Sequence, residues 1–330
     1  MLRTLRGMAE MNQIASNRIA FLFPGQGSQR AGMGAELAAK YPVAKQTFEE
    51  ADSALGFNLS SLCWVGPDSQ LKMTEITQPA ILTMSIAVLR VVRDMGIDAG
   101  FAAGHSLGEY AAHVAAGTLT FDDAVHTVRK RGRYMQEAVP EGGGMAAIIG
   151  LPLAEVEKIC AAAADGQVCA PANINSADQI VISGHAQAVE RAATLAKERG
   201  AQRAVTLPVS APFHCSMMQP AQDLMAGDLG QVQFRPLEIP VVCNVDAAVL
   251  DSPEEARDAL VRQITGAVQW ERCVHRLLSC GAELFVELGP GKVLAGLMRR
   301  IAPTKTCLNV EDEASLHKLL DYFSLAAAAS

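Results

Sequence analysis

The sequence contains no pair of cysteines at the close spacing that redox and zinc sites use. None of its eight cysteines forms a C-x-x-C pair, and no group of histidines and cysteines has the spacing of zinc ligands. Cysteines scattered in this way through a long chain are typical of small buried hydrophobic side chains in a reducing compartment. We therefore expect a cytoplasmic protein with no bound metal and no cofactor.

The sequence also lacks an excess of positive charge and a long uninterrupted apolar run. Its formal net charge of −7 argues against nucleic acid as the main partner, because phosphate backbones select basic surfaces. The most apolar stretch, Ala80 to Met95, is interrupted by polar and charged residues, so it predicts a buried core helix rather than a membrane span. Residues 1–17 have no long apolar segment and predict no secretory signal. We expect a monomer that binds neither membranes nor nucleic acid.

Half of the 330 residues are hydrophobic and 19% are charged, which are ordinary values for a globular enzyme. Short apolar strands alternate with helices in the first part of the chain. Strands are predicted at Arg18–Phe23 and Ala99–Ala103, and a helix is predicted at Ser106–Ala116. Another helix is predicted to reach Met95, with Pro79 in its first turn. This repeated order predicts a parallel sheet with helices on both faces.

The middle of the chain has a different pattern of short strands and two helices. Their order, β-α-β-β-α-β, is that of a ferredoxin-like unit. The predicted strands are Met145–Gly150, Val168–Ile174, Ile180–Ser183 and Arg203–Leu207, and the helices are 153–163 and 186–199. After them the pattern predicts a strand at 239–243, a helix at 254–265 and a strand at Leu284–Leu288.

We therefore predict an α/β fold with two parts. The main domain has a parallel-type sheet flanked by helices, with an α/β-hydrolase-like core, and it is discontinuous, covering 18–141 and 209–310. A small ferredoxin-like subdomain is inserted at 142–208. Residues 1–17 and 311–330 are flanking segments.

The sharpest chemical signal is Gly104-His105-Ser106-Leu107-Gly108, a G-x-S-x-G motif at the predicted strand-to-helix junction. The glycines leave Ser106 uncrowded on a tight turn, and the N-terminus of the following helix can stabilise a developing oxyanion. The same pattern also occurs in glycine-rich turns whose serine only caps the helix. Ser106 is the candidate nucleophile.

A nucleophilic serine needs a base, and the chain has seven histidines. His214 lies in the loop Ser210–His214, after a strand-like run, and loops beyond strand ends form the active crevice of doubly wound folds. His105 adjoins the serine, but side chains of neighbours at such a turn diverge, so it is expected to pack. The other histidines are expected to be structural or solvated: His113, His126, His185, His275 and His317. His214 is the candidate base.

Two further features concern ligands. Phe23–Gln29 (FPGQGSQ) is neither a phosphate loop nor a dinucleotide fingerprint, but its glycines around Gln26 let a backbone N–H approach a ligand closely. On the predicted helix Phe121–Val139, the helical phase puts Arg131 on the flank of the inward face. A half-buried arginine usually has a fixed anionic partner, and either a structural acid or a substrate carboxylate fits. Gly289–Lys292 is predicted to be only a turn.

Taken together, four segments resemble the malonyl-CoA–acyl carrier protein transacylases of fatty acid synthesis. They are Phe23–Gln29, Gly104–Tyr110 (GHSLGEY), Arg131 in a KRGRYMQ setting, and Pro212-Phe213-His214. The likeness runs from about residue 18 to 302 and includes the motifs at 261–270 and 286–294. Several motifs in the family's order make the resemblance specific.

The resemblance implies a role for each matching residue. Ser106 is expected to be the nucleophile, His214 its base, and Arg131 the anchor of the malonyl carboxylate. The backbone N–H groups of Gln26 and Leu107 are expected to form the oxyanion hole. The main-chain carbonyl of Gln263 is expected to orient His214, and Phe213 is expected to line the substrate pocket. One departure is Thr265-Gly266-Ala267, where the family often has a proline.

The implied reaction is a ping-pong transfer from malonyl-CoA to the phosphopantetheine thiol of acyl carrier protein. One alternative is a serine thioesterase or esterase, which would also use G-x-S-x-G with an acidic residue between serine and histidine in the chain. A second is a catalytically silent subunit that binds carrier protein. A third is a trans-acting polyketide malonyltransferase, which would share these motifs.

Overall fold

The structure is a computed structural model that describes residues 16–209 and 211–329. In this part of the chain the residues form ten strands and fourteen α-helices. The strands are β1 Ile19–Phe23, β2 Phe101–Gly104, β3 Gly143–Ile149, β4 Cys169–Ser176, β5 Gln179–His185, β6 Arg203–Thr206, β7 Val241–Val242, β8 Val249–Leu250, β9 Leu284–Leu288 and β10 Thr306–Val310.

The α-helices surround two separate sheets. They are α1 Ala35–Lys40, α2 Pro42–Leu55, α3 Leu59–Val65, α4 Asp68–Leu71, α5 Thr74–Asp94, α6 Gly108–Ala115, α7 Phe121–Ala138, α8 Leu153–Ala164, α9 Ala186–Glu198, α10 Gln219–Leu229, α11 Pro253–Arg262, α12 Trp270–Ser279, α13 Val293–Ile301 and α14 Glu313–Ala329.

The central sheet has six strands in the order β10-β9-β1-β2-β7-β8. All neighbouring pairs are parallel except β7 with β8. Every residue of β1 and of β9 is buried, as expected for parallel strands that are covered on both faces. Alternate residues of β1 belong to different cores: Phe21 and Phe23 pack on one face, and Ala20 and Leu22 on the other. The predicted parallel sheet flanked by helices is confirmed.

The second sheet is antiparallel and has the strand order β4-β5-β3-β6. Helices α8 and α9 cover one side of it and share a separate hydrophobic core with it, which includes Ile148, Ile159 and Ile182. The element order is the β-α-β-β-α-β predicted from the sequence, and each predicted strand overlaps an observed one. The small antiparallel sheet is therefore confirmed.

The two sheets meet through backbone hydrogen bonds next to β4. Ile174 N donates to Val268 O, and Val268 N donates to Ala172 O. Val268 lies two residues before α12, and His105, which follows β2, contacts Asn175 of β4, so one end of the small sheet lies beside the carboxyl end of β2. The candidate site lies at this junction.

Three local predictions differ from the structure. Helix α5 begins at Thr74, so Pro79 lies inside it rather than in its first turn. The helix after the G-x-S-x-G motif begins at Gly108 rather than at Ser106. Strand β10 and helix α14, at the end of the chain, were not predicted; α14 buries Leu316 and Leu319.

Helix α5 is the one helix, among the residues described, that is long and apolar enough to cross a membrane. It has 21 residues, but 83% of its most apolar window is buried inside the protein. Its neighbours are helices α2 and α7 and the central sheet. This burial agrees with the predicted core helix.

Candidate active site

The turn that carries Ser106 joins β2 to α6 and is tightly constrained. Ser106 has φ 52°, in the left-handed region that non-glycine residues rarely adopt. A Cβ atom on Gly104 would lie 1.9 Å from the backbone of Gly108, and one on Gly108 would lie 2.1 Å from Phe23 O. Only glycine fits at these two positions, and this packing explains the G-x-S-x-G spacing.

Ser106 and His214 form a hydrogen-bonded pair. Ser106 Oγ lies 2.7 Å from His214 Nε2, and His214 Nδ1 lies 2.9 Å from the main-chain carbonyl oxygen of Gln263. A carbonyl oxygen can only accept, so Nδ1 carries the proton and Nε2 is left to accept one from the serine. Burial, followed by the charge of Arg131, lowers the pKa of His214 to about 3. The imidazole is therefore neutral near pH 7 and able to act as a base.

Arg131 is fully inside the protein, with a relative exposure of 1%. Its Nη1 donates to Gln78 Oε1 at 2.9 Å, and its Nη2 donates to Gln263 Oε1 at 2.9 Å and to Ser106 Oγ at 3.2 Å. Its guanidinium carbon also lies 5.7 Å from the centre of the Tyr110 ring. Within the described chain, each of these hydrogen-bond acceptors is a neutral oxygen. The arginine is more deeply buried than its predicted position on the flank of the helix.

A buried polar layer lies beneath the Ser106 turn. Asn244 Oδ1 accepts from Ser106 N at 2.6 Å, and Asn244 Nδ2 donates to Gly104 O at 2.7 Å. Glu109 Oε2 accepts from Asn244 N at 2.9 Å and from Gln263 Nε2 at 2.7 Å. Sequence reasoning missed Asn244 and Glu109. For Glu109 a signal was present, since it is the one acidic residue in helix α6, most of whose residues are buried.

The remaining predicted site residues also meet here. The backbone N–H groups of Gln26 and Leu107 donate to no other described residue, which leaves them available to a ligand. The loop that contains Gly266 closes with a hydrogen bond from Gly266 N to Arg262 O, so the departure from the family sequence leaves the Gln263 carbonyl in contact with His214.

The other histidines do not compete with His214. His105 Nε2 lies 2.9 Å from Asn175 Oδ1, and the His105 ring packs against Trp270, as predicted from its place on the turn. His113 is buried in α6, and burial lowers its pKa to about 3. The others lie outside the cavity described next: His126, His185, His275 and His317.

A cavity of about 470 Å³ opens onto Ser106, His214 and Arg131. Elements of both sheets contribute to its walls. Its apolar lining residues include Met135, Met145, Leu207 and Phe213, and its polar lining residues include Gln26, Gln29 and Lys72. The arrangement can therefore bind an acyl group with a terminal anion beside an activated serine. Phe213 lies in the wall of the cavity.

The chain resembles known proteins over most of its length. The acyl transferase domain family matches residues 20–319. The malonyl CoA-acyl carrier protein transacylase of Escherichia coli K12 is 49% identical over 306 residues, which cover 92% of this chain and 99% of that protein. The Bacillus subtilis protein of the same name is 45% identical over 302 residues, which cover 91% and 95%.

Solved structures of malonyltransferases are also similar to this chain. An acyl carrier protein S-malonyltransferase from Vibrio cholerae superposes with a TM-score of 0.89 at 47% identity, covering 92% of this chain and 99% of that one. A malonyl-transacylase solved with a type II polyketide synthase acyl-carrier protein gives a TM-score of 0.90 at 45% identity, with coverages of 92% and 99%. Both likenesses extend across both sheets.

The geometry predicts that His214 activates Ser106. His214→Ala should slow the reaction of Ser106 with a serine-directed sulfonyl fluoride by about 10²- to 10⁴-fold, the usual contribution of a positioned base. Labelling is measured by intact mass, and His105→Ala is the matched control because it removes the adjacent imidazole of the same cavity. If His105→Ala causes an equal loss in a folded protein, the assignment of the base is wrong.

Proposed function

Because the chain belongs to the malonyl CoA-acyl carrier protein transacylases, a family of acyl transferases, we propose that it moves a malonyl group from malonyl-CoA to the phosphopantetheine thiol of acyl carrier protein. The position of Arg131 is the main support for this proposal. Its buried guanidinium and the Ser106–His214 pair line one cavity, so a substrate that places its carbonyl at Ser106 can place a free carboxylate at Arg131.

In the first half-reaction His214 Nε2 takes the proton from Ser106 Oγ, which attacks the carbonyl carbon of the malonyl thioester. The negative charge that develops on the carbonyl oxygen is stabilised by the backbone N–H groups of Gln26 and Leu107. The C–S bond then breaks, and the CoA thiolate leaves with the proton from His214. The product is a malonyl ester on Ser106.

In the second half-reaction the carrier thiol gives its proton to His214 and attacks the same carbonyl carbon. The bond between the carbonyl carbon and Ser106 Oγ breaks, and the proton passes from His214 back to the serine. The first step converts a thioester to an ester, and the second converts that ester to a thioester. Since no electrons are gained or lost overall, the reaction requires no redox cofactor, and we propose that it uses no metal.

Arg131 selects the malonyl group in this proposal. The guanidinium can bind a carboxylate through two parallel hydrogen bonds, which its neutral partners Gln78 and Gln263 do not offer. The side chain of Phe213 closes part of the cavity wall beside this position. A neutral acyl group gains nothing from the cation, which then has no anion in direct hydrogen-bond contact among the described residues.

The hydrolase alternative has less support. In α/β-hydrolases an aspartate or glutamate orients the histidine, whereas here the partner of His214 Nδ1 is a main-chain carbonyl. The catalytically silent alternative has no support, since nucleophile, base and arginine share one cavity.

We further propose that the acceptor belongs to fatty acid synthesis, where malonyl groups are the extender units. A second acceptor class has a specific observation in its favour: the 45% identical structural neighbour is in complex with a type II polyketide synthase carrier. Both classes of carrier present the same phosphopantetheine thiol. The chemistry at Ser106 is therefore the same for either.

We also propose how the chain divides into domains. We divide the chain into a main α/β-hydrolase-like domain at 18–141 and 209–310 and a ferredoxin-like subdomain at 142–208, with flanking segments at either end. The separate core of the small sheet supports this division. All eight cysteines are free thiols, and most are buried, which supports a reducing, cytoplasmic location.

The covalent intermediate provides the test of this function. Malonyl-CoA alone should add one malonyl group to the protein, because the first half-reaction needs no carrier, and peptide mapping should place it on Ser106. Ser106→Ala should abolish the adduct. Cys215→Ala, which removes a buried thiol next to the base, should keep it. An adduct on Cys215, or one that persists in Ser106→Ala, would rule out the mechanism.

Arg131→Ala should separate malonyl from neutral acyl groups. Removing one partner of a buried charge pair costs about 2–5 kcal/mol, so the rate of malonyl loading should fall by about 30- to 5,000-fold. The rate of acetyl loading should be retained or rise. Both rates are measured by quenched-flow mass spectrometry.

Arg133→Ala is the matched control for this prediction, because Arg133 lies on the same helix with half of its side chain exposed. It should leave both rates unchanged. An equal loss of malonyl and acetyl loading in a folded Arg131→Ala protein would show that the arginine is structural.

A further inference from the structure

Glu109 is a carboxylate in the interior that takes no part in the mechanism given above. Its relative exposure is 0%, and it belongs to the first turn of α6, three residues after the nucleophile. Both of its hydrogen bonds end on one oxygen, Oε2, which accepts from Asn244 N and from Gln263 Nε2. In the described part of the chain Oε1 has no hydrogen-bond partner.

Gln263 connects this carboxylate to the reacting groups. Its main-chain oxygen accepts from His214 Nδ1, and its side-chain Oε1 accepts from Arg131 Nη2. Its Nε2 donates to Glu109 Oε2 and, at 3.0 Å, to the main-chain oxygen of Ser106. Reversing the amide would turn Oε1 toward the carboxylate and Nε2 toward the guanidinium. The two opposite charges therefore hold the amide in one orientation.

Asn244 gives Glu109 a second connection to the site. Glu109 accepts from the backbone N–H of Asn244, whose side chain in turn bonds Ser106 N and Gly104 O. The left-handed conformation of Ser106 is strained and persists only if its surroundings hold it. Glu109 thus supports both ends of the Ser106–His214 hydrogen bond.

We propose that Glu109 is a positioning residue for acyl transfer, which orients Gln263 against His214 and Arg131 and holds Asn244 under the nucleophile turn. This inference rests on the proposed function. Three groups lie in a row: the Arg131 cation, the Gln263 amide and the Glu109 anion. The anion offsets the charge of Arg131 before a substrate carboxylate arrives.

The ionised form of Glu109 is the effective one. Burial raises its pKa to about 7, against the hydrogen bonds from Asn244 and Gln263 and the charge of Arg131, while Asp246 raises it further. The thiols of Cys243 and Cys273 also face it, and burial raises the pKa of both. An ionised carboxylate accepts stronger hydrogen bonds than a neutral one. The hydrogen bonds that Glu109 accepts should therefore be strong above about pH 7 and weaken as the pH falls through this value.

Burial holds the pKa of His214 well below this range, at about 3, so we assign the change near pH 7 to Glu109, and the Glu109→Gln variant tests this assignment. The rate of Ser106 malonylation by malonyl-CoA in a single turnover should thus rise with pH through about 7 in the unmodified enzyme. Glu109→Gln keeps the shape and one oxygen for both hydrogen bonds but cannot ionise. It should be slower at high pH by about 10- to 100-fold, the loss that follows mutation of the hydrogen-bond partners of metal ligands, and its rate should not rise near pH 7.

Glu287 provides the matched control. It is also buried, its pKa is also raised to about 7 by burial, and it accepts from Leu294 N and Ala295 N at the start of α13. Glu287→Gln removes an equivalent charge but contacts none of the reacting groups. It should keep the rate and the pH dependence of the unmodified enzyme.

The inference is overturned if Glu109→Gln keeps the normal rate, if it keeps the rise near pH 7, or if Glu287→Gln loses as much rate. Should Glu109→Gln not fold, Glu109→Asp serves instead: it still ionises, so it should keep the rise but reach a lower maximum, and a normal maximum would contradict the inference. Absence of malonylation in the unmodified enzyme would instead contradict the proposed function.

Discussion

A guanidinium group with a relative exposure of 1% lies beside the nucleophile, and much of the site is arranged around its charge. Burying an unpaired ion costs several kcal/mol, so Arg131 must be surrounded by oriented dipoles. Gln78 from α5 and Gln263 after α11 supply two amide oxygens, and the face of Tyr110 supplies a third contact. The Glu109 carboxylate reaches this cation through the Gln263 amide, so a substrate carboxylate can still bind the guanidinium directly from the cavity.

Close packing between helices makes that arrangement possible. Gly132, next to the arginine, faces the backbone of Thr74 so closely that a Cβ atom would lie 2.5 Å from its carbonyl oxygen. Helices α5 and α7 can therefore approach each other, and Gln78 comes within reach of Arg131. Helix α5 is apolar on most sides and lies in the core, and from there it brings Gln78 to Arg131.

The sequence motifs predicted the reacting groups better than the groups that hold them. Short stretches of sequence were enough to select Ser106, His214 and Arg131, because glycine spacing, loop position and helical phase can each be read locally. Asn244 and Glu109 lie 135 residues apart and meet only through the fold, so no local pattern shows their contact. Pro79 was misplaced for a related reason. Its missing N–H favours a first turn, but burial on all sides stabilises a helix that begins at Thr74 despite the lost hydrogen bond. The last strand and helix lie beyond residue 302, where the resemblance ends, and tertiary contacts such as the pairing of β10 with β9 set their place in the fold.

The central claim is that a malonyl group leaves Ser106 for a carrier thiol rather than for water. The most direct measurement is a chase of the isolated malonyl-enzyme, with and without carrier protein bearing phosphopantetheine, in which malonyl-carrier and free malonate are quantified over time by mass spectrometry. We expect rapid loss of the malonyl group from the enzyme into malonyl-carrier, with little malonate, and a long-lived malonyl-enzyme when the carrier is absent. Release of malonate at the same rate in both reactions would contradict this expectation and identify a hydrolase.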